Sequence, residues 1–121
     1  MLKKAALLLM ITCVASPVFA ASAPKDDETA LASIHAQRQE GNRLCMSSHY
    51  HYGSSSGQKT RKAAEVQAIR DWAGFTAWEY GTIWGRYTLA ASKDMKCSEA
   101  PDGTWGCHVE ARPCRPLPKR K

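Results

Sequence analysis

Apolar residues recur at helical spacing in one long segment of the chain, residues 60–80. The positions that share the apolar face are Val66, Ile69, Trp72, Ala73 and Thr76. This spacing is typical of an amphipathic helix with one side against a core. Thr60 suits the N-cap position, and Gly81 is a natural terminator. The pattern predicts one main helix over residues 60–80.

Alternation of apolar and polar residues follows in two C-terminal stretches, residues 83–98 and residues 104–112. Period-two alternation predicts a strand in each stretch. Between them lies the sequence Ala-Pro-Asp-Gly, residues 100–103. Proline second and glycine fourth suit a type I turn followed by a left-handed glycine. The two strands are therefore expected to form a β-hairpin.

The predicted turn also fixes the register of this hairpin. If Ala100 pairs with Thr104, then Cys97 lies directly opposite Cys107. Opposed residues of a non-hydrogen-bonded pair have Cα atoms about 4.5 Å apart, which a disulfide tolerates. The turn was assigned without reference to the cysteines, so their alignment supports both interpretations. We expect a Cys97–Cys107 disulfide.

The N-terminal half carries weaker patterns. Residues 44–52 are expected to form a short third strand, and the Gly-Ser-Ser-Ser-Gly stretch at residues 53–57 a flexible connection. Asp27 suits a helix N-cap and Gly41 a helix end, so a short helix is expected between them.

The first twenty residues resemble a secretory signal peptide. Lys3 and Lys4 form a positive n-region, and residues 5–15 form an apolar h-region. Small residues before and at Ala20 suit a signal peptidase, so we expect cleavage after Ala20. No other segment approaches the roughly 20 apolar residues that a bilayer span needs. These features predict a periplasmic or secreted protein without a membrane span.

Cysteine usage agrees with export. Cys13 lies in the predicted signal peptide, which leaves four cysteines in a small domain. An even number in an exported chain of this size indicates two disulfides. With Cys97 and Cys107 paired by register, Cys45 and Cys114 pair by elimination, at roughly 3–4 kcal/mol for such a long loop. Zinc ligation is the alternative, but the cysteines lack close Cys-x-x-Cys spacing.

The charge balance favours anionic partners weakly. Loss of two lysines with the signal lowers the net charge from +6 to +4. The start of the main helix, with Lys59, Arg61 and Lys62, is a candidate for holding a sulfate or phosphate group, against the alternative of a solvated helix terminus. The preceding glycines lack P-loop spacing, so no nucleotide site is expected. The composition of residues 115–121 predicts a basic, proline-rich tail.

The sequence His-Tyr-His-Tyr is the sharpest chemical feature. On a strand, His49 and His51 would point to one side and reach one metal ion, zinc or copper. Such a site needs a further ligand from an acidic residue or from the remaining histidines, His35 and His108. The alternative is an edge strand in which Tyr50 and Tyr52 face the core and the histidines face water.

Tryptophans are numerous for so short a chain. They are Trp72, Trp78, Trp84 and Trp105. Tryptophans of a small domain usually fill its core, where each buries a large area. At least three of the four are expected in the core or at the helix–sheet interface.

A set of spaced residues resembles a group of small exported proteins of alphaproteobacteria. The residues that carry the resemblance are Trp72, Tyr80, Gly81, Ala90, Lys93, Cys97, Trp105, Cys107, Ala111, Pro113 and Cys114. The resemblance covers about residues 49–114. It implies an exported, disulfide-containing domain and brings no activity with it.

Together these patterns predict an α+β fold, with one main helix packed on a small antiparallel sheet that two disulfides hold. We divide the chain into a signal peptide (1–20), a leader with a short helix (21–43), the domain (44–114) and the tail. No serine–histidine–acid set or carboxylate pair is recognisable, so a non-enzymatic exported binding module is expected, without a cofactor. Its partner would be an anionic envelope polymer or a protein; the alternative is a zinc- or copper-binding protein that uses His49 and His51.

Overall fold

A computed structural model describes residues 27–120, so the predicted signal peptide lies outside the described residues. The elements in chain order are α1 (Ala30–Ile34), β1 (Gln37–Glu40), β2 (Arg43–Met46), β3 (His51–Ser54), α2 (Arg61–Tyr80), two 3-10 turns (Thr82–Trp84 and Tyr87–Leu89), β4 (Ala91–Glu99), β5 (Trp105–Arg112) and β6 (Cys114–Pro116). This is the predicted α+β class, with one main helix and antiparallel strands.

The strands form two three-stranded antiparallel sheets, β1-β2-β6 and β3-β5-β4. The expectation of a single strand over residues 44–52 was wrong, because the chain leaves the first sheet after Met46 and joins the second at His51. Pro113 accounts for this division. Pro113 has no N–H to donate to a neighbouring strand, so β5 ends before it and β6 begins after it. The strands that pair with β5 and β6 are separated at the same place.

The N-terminal helix is shorter than predicted. It ends at Ile34, and the rest of the expected helix is β1. Gly41, with φ of +63°, is the first residue of a two-residue loop that joins β1 to β2. Glycine first in such a loop is typical of a type II′ hairpin turn. Gly41 therefore begins a hairpin rather than ending a helix.

Helix α2 confirms the main prediction. The Thr60 side chain accepts a hydrogen bond from the Ala63 amide, and Gly81 ends the helix. Its buried residues are Ala64, Ala68, Trp72, Thr76 and Tyr80, whereas Val66 is exposed. The two alanines let the helix approach β3 so closely that a Cβ on Gly53 would overlap the Ala68 carbonyl. Close approach, rather than side-chain size, decides which face is buried.

Both predicted disulfides are present. Cys97 lies opposite Cys107 in the β4–β5 ladder, with Cα atoms 4.1 Å apart. Cys45 and Cys114 join β2 to β6, with Cα atoms 4.0 Å apart. The predicted strand over residues 83–98 begins only at Ala91, since the preceding residues form the two 3-10 turns.

The ends of the described chain are part of the fold. The buried Arg112 pairs with Glu40, and the buried Arg115 pairs with Glu28. Strand β6 runs to Pro116, so it takes in the first two residues of the segment expected to be a tail. No helix among the described residues has the length and apolar character of a membrane span.

Candidate metal centre

The two histidines of the His-Tyr-His-Tyr sequence lie in different surroundings. Strand β3 begins at His51, so His49 lies in the preceding connection and the expected i, i+2 strand geometry is absent. The alternative expectation was also wrong. His51 is only 1% exposed, whereas Tyr52 is 64% exposed. His51 pairs with the buried Ala111 on the helix-facing side of the sheet, so Tyr52 faces outward.

His49 nevertheless belongs to a cluster of possible metal ligands. Its donor atom and those of His35 and Glu79 all lie within 4.8 Å of one another. Each of the three residues is partly exposed. In the described part of the chain this is the one group of at least three such ligands. Three separate segments supply it, namely the end of α1, the β2–β3 connection and the last turn of α2.

The backbone of α1 orients the His35 ring. Its Nδ1 lies 2.6 Å from the Leu31 carbonyl oxygen and donates to it. The ring hydrogen of the neutral imidazole is then on Nδ1, which leaves the Nε2 lone pair for a ligand. Histidines that bind metals commonly have such a carbonyl partner on the other nitrogen.

Glu79 is held by the N-terminal segment of the described chain. The Thr29 hydroxyl donates to the Glu79 carbonyl at 2.6 Å, and the Thr29 amide donates to the Tyr80 carbonyl at 2.9 Å. Gly81, with φ of +104°, lies so close to Asp27 that a Cβ would overlap the Asp27 carbonyl. These contacts place His35 beside the C-terminal end of a 20-residue helix, where the helix dipole favours a cation.

His51 lies behind Glu79 and contacts its carboxylate. Nδ1 of His51 is 2.9 Å from the Thr76 hydroxyl oxygen, and Nε2 is 2.9 Å from a Glu79 carboxylate oxygen. The ring also stacks on Tyr80 at 4.9 Å. Burial lowers the pKa of His51 to about 4, although the Glu79 carboxylate acts in the opposite direction. His51 is therefore a neutral imidazole at pH 7.

Buried polar side chains also face Glu79. Its carboxylate lies 2.9 Å from His51 Nε2, and burial together with the Glu79 carboxylate raises the pKa of Tyr80. The Tyr80 ring lies 5.2 Å from the ring of His35 and 5.7 Å from the ring of His49. Tyr80 therefore contacts both candidate ligand histidines.

The donor set has a definite chemical preference. Two imidazole nitrogens and one carboxylate oxygen suit zinc or copper(II). The four cysteines in the described chain are all in disulfides, so they offer no thiolate to a metal. Three protein ligands leave one position of a tetrahedral zinc ion open.

The residues predicted to bind an anion lie at the start of α2, away from this cluster in sequence. Arg61 and Lys62 both approach Glu65, at 3.2 and 3.9 Å, so an acidic side chain of the helix already draws on their charge. Lys59 is exposed beside them. Binding of an anion here remains a prediction.

Two features of the site had no signal in the sequence. Glu79 stands in no motif, and it comes close to His35 through contacts between distant segments, such as those of Thr29. Trp78 is 77% exposed, and nothing in the sequence singled it out among the four tryptophans. Trp72 and Trp84 are buried, and Trp105 is partly buried against the core. The expectation of at least three core or interface tryptophans is thus confirmed.

The two disulfides are consistent with an extracellular or periplasmic protein. Comparison with known proteins adds no relative to this picture: no protein-family model, no curated protein and no solved structure matches the chain.

Proposed function

We propose that this domain binds one divalent transition-metal ion, zinc or copper(II), through His35, His49 and Glu79. It does so outside the cytoplasm, after export directed by residues 1–20, and as a binding protein rather than an enzyme. The proposal keeps the metal-binding hypothesis of the sequence but changes its ligands. His49 remains a ligand, and His35 and Glu79 take the place of His51.

One observation carries the proposal. Two histidine nitrogens and a carboxylate oxygen lie within 4.8 Å of one another, although three separate segments supply them. The Leu31 carbonyl fixes the His35 ring so that its Nε2 is left for a ligand. Such a donor set at the C-terminal end of a helix favours a cation.

The surrounding residues suit a metal ion electrostatically. Glu79 supplies a negative charge, and the C-terminal end of α2 adds its partial negative charge. Neutral His51 places no competing positive charge at the site.

A zinc titration tests the proposal. The full chain is exported to a bacterial periplasm, purified without chelator, stripped of metal and titrated with Zn²⁺ by calorimetry. We expect one ion per chain, with affinity reduced at least roughly tenfold by His35→Ala, His49→Ala or Glu79→Gln. Copper(II) should bind more tightly than zinc, following the general order of affinities.

His108→Ala provides the matched control. His108 is an exposed histidine on β5 and lies outside the cluster. Its replacement should leave zinc affinity unchanged. Absence of zinc binding, or an equal loss in the His108→Ala and His35→Ala variants, would contradict the proposed function.

A further inference from the structure

Exposed apolar side chains adjoin the proposed metal centre. Phe75 and Trp78 stack on the outer side of α2 with ring centroids 6.0 Å apart, and they are 48% and 77% exposed. Ile34, at the end of α1, is 75% exposed. We call these three residues the apolar rim. Adjoining apolar side chains that stay exposed on a small domain commonly mark a binding surface.

The rim is connected to the metal ligands through His51 and by sequence. The Phe75 ring lies 5.0 Å from the ring of His51, which in turn contacts the Glu79 carboxylate. Trp78 immediately precedes Glu79, and Ile34 immediately precedes His35. Phe75 therefore lies beside the proposed metal centre, and Trp78 lies beside Phe75.

The charge of the loaded site selects the chemistry of that occupant. A divalent ion bound by one carboxylate and two neutral imidazoles keeps a net charge of +1. The open fourth position of the ion then favours an anionic oxygen donor, which completes both the coordination and the charge balance. The rim favours an apolar group attached to that donor.

We propose that the zinc-loaded site binds the carboxylate of an apolar peptide segment of a partner protein. The carboxylate takes the fourth position on the ion, and the neighbouring apolar side chain covers Phe75 and Trp78. Covering the ion excludes water and strengthens the attraction between ion and carboxylate. This inference rests on the proposed metal-binding function and names the partner of the metal-loaded protein.

The experiment uses a short probe with a matched neutral form. Metal-free and zinc-loaded full chain are each titrated with acetyl-glycyl-glycyl-phenylalanine and with its C-terminal amide, followed by calorimetry. We expect the carboxylate peptide to bind the zinc form at least roughly tenfold more tightly than the metal-free form, and at least roughly tenfold more tightly than the amide binds.

Trp78→Ser tests the role of the rim. Trp78 is no metal ligand and is mostly exposed, so zinc affinity should stay within about twofold of the original, while the peptide should bind at least fivefold more weakly. Arg70→Ser, an exposed change elsewhere on α2, is the control and should alter neither affinity.

Each other outcome overturns the inference. If the amide binds as tightly as the carboxylate peptide, the carboxylate is not recognised. If the metal-free chain binds the peptide as tightly as the zinc form, the metal is not involved. If Trp78→Ser has no effect on peptide binding, the rim is not involved. Free 3-phenylpropionate binding as tightly as the peptide would replace a protein partner with a small acid. Zinc binding without peptide binding overturns this inference alone, whereas absence of zinc binding overturns the proposed function as well.

Discussion

The β4–β5 hairpin and the proposed metal centre are built in opposite ways. The hairpin is assembled from one continuous stretch, with a tight turn and a disulfide between residues only 10 positions apart. The proposed metal centre draws on three separate segments of the chain. Local contacts therefore specify the hairpin, whereas the arrangement of the centre depends on the N-terminal segment.

The largest expected effect comes from detaching the N-terminal segment. In Gly81→Ala the new Cβ overlaps the Asp27 carbonyl, and φ of +104° is unfavourable for alanine. We expect a loss of about 3 kcal/mol in the free energy of unfolding and weaker zinc binding, because His35 moves with this segment.

Gly57→Ala is the matched control for that change. Gly57 also has a positive φ, but a Cβ there meets nothing within 4 Å. It should cost only about 1 kcal/mol and leave zinc affinity unchanged. Chemical denaturation of both variants measures the difference, and equal costs would show that the Asp27 contact is unimportant.

Zinc should stabilise the domain by the next largest amount. At a free zinc concentration 100 times the dissociation constant, we expect a gain of about 2.7 kcal/mol in the free energy of unfolding. Glu79→Gln should abolish most of this gain, since it removes the anionic ligand. Thermal unfolding with and without zinc measures it. The same gain in the Glu79→Gln variant would place the ion elsewhere.

The stability of the metal-free protein should fall on mild acidification. Burial holds the pKa of His51 at about 4 in the fold, while the unfolded chain has the ordinary value near 6.5. The unfolded state therefore takes up the proton first, and stability is lost as the pH falls from about 6.5 towards 4. Between pH 7.5 and 5 the loss attributable to this group is about 2 kcal/mol.

His51→Gln should remove this part of the pH dependence, whatever its effect on stability at neutral pH. His108→Gln, at an exposed histidine, should keep it. Denaturation midpoints across the pH range compare the two variants. An unchanged slope in His51→Gln would mean that another group titrates.

The smallest effect is expected at the apolar rim. Trp78→Ser should change the free energy of unfolding of the metal-free protein by less than about 0.5 kcal/mol, because the side chain is mostly exposed. Thermal unfolding checks this value. A large loss would give Trp78 a role in the fold rather than in binding.

The same contrast explains what the sequence could predict. The turn after Glu99 set the register of the hairpin, and that register placed Cys97 opposite Cys107. Thr60 and Gly81 marked the ends of α2 by their own local chemistry. In each case the decisive signal lay within a few residues of the structure it determined.

The metal centre had no such local signal. His35, His49 and Glu79 are distant in sequence and come together through backbone contacts of Thr29 and through the division of the strands at Pro113. Alternation along residues 49–52 could not indicate which face of β3 is buried, because that depends on its pairing with Ala111. A histidine pair was recognisable, but the partner ligands of His49 were not.

The most direct test of the account is zinc K-edge X-ray absorption on the loaded protein. We predict a first shell of imidazole nitrogen and carboxylate oxygen at about 2.0–2.2 Å, with scattering from two imidazole rings and one ring fewer after His35→Ala. Sulfur scattering at about 2.3 Å, or an oxygen shell that His35→Ala leaves unchanged, would contradict it.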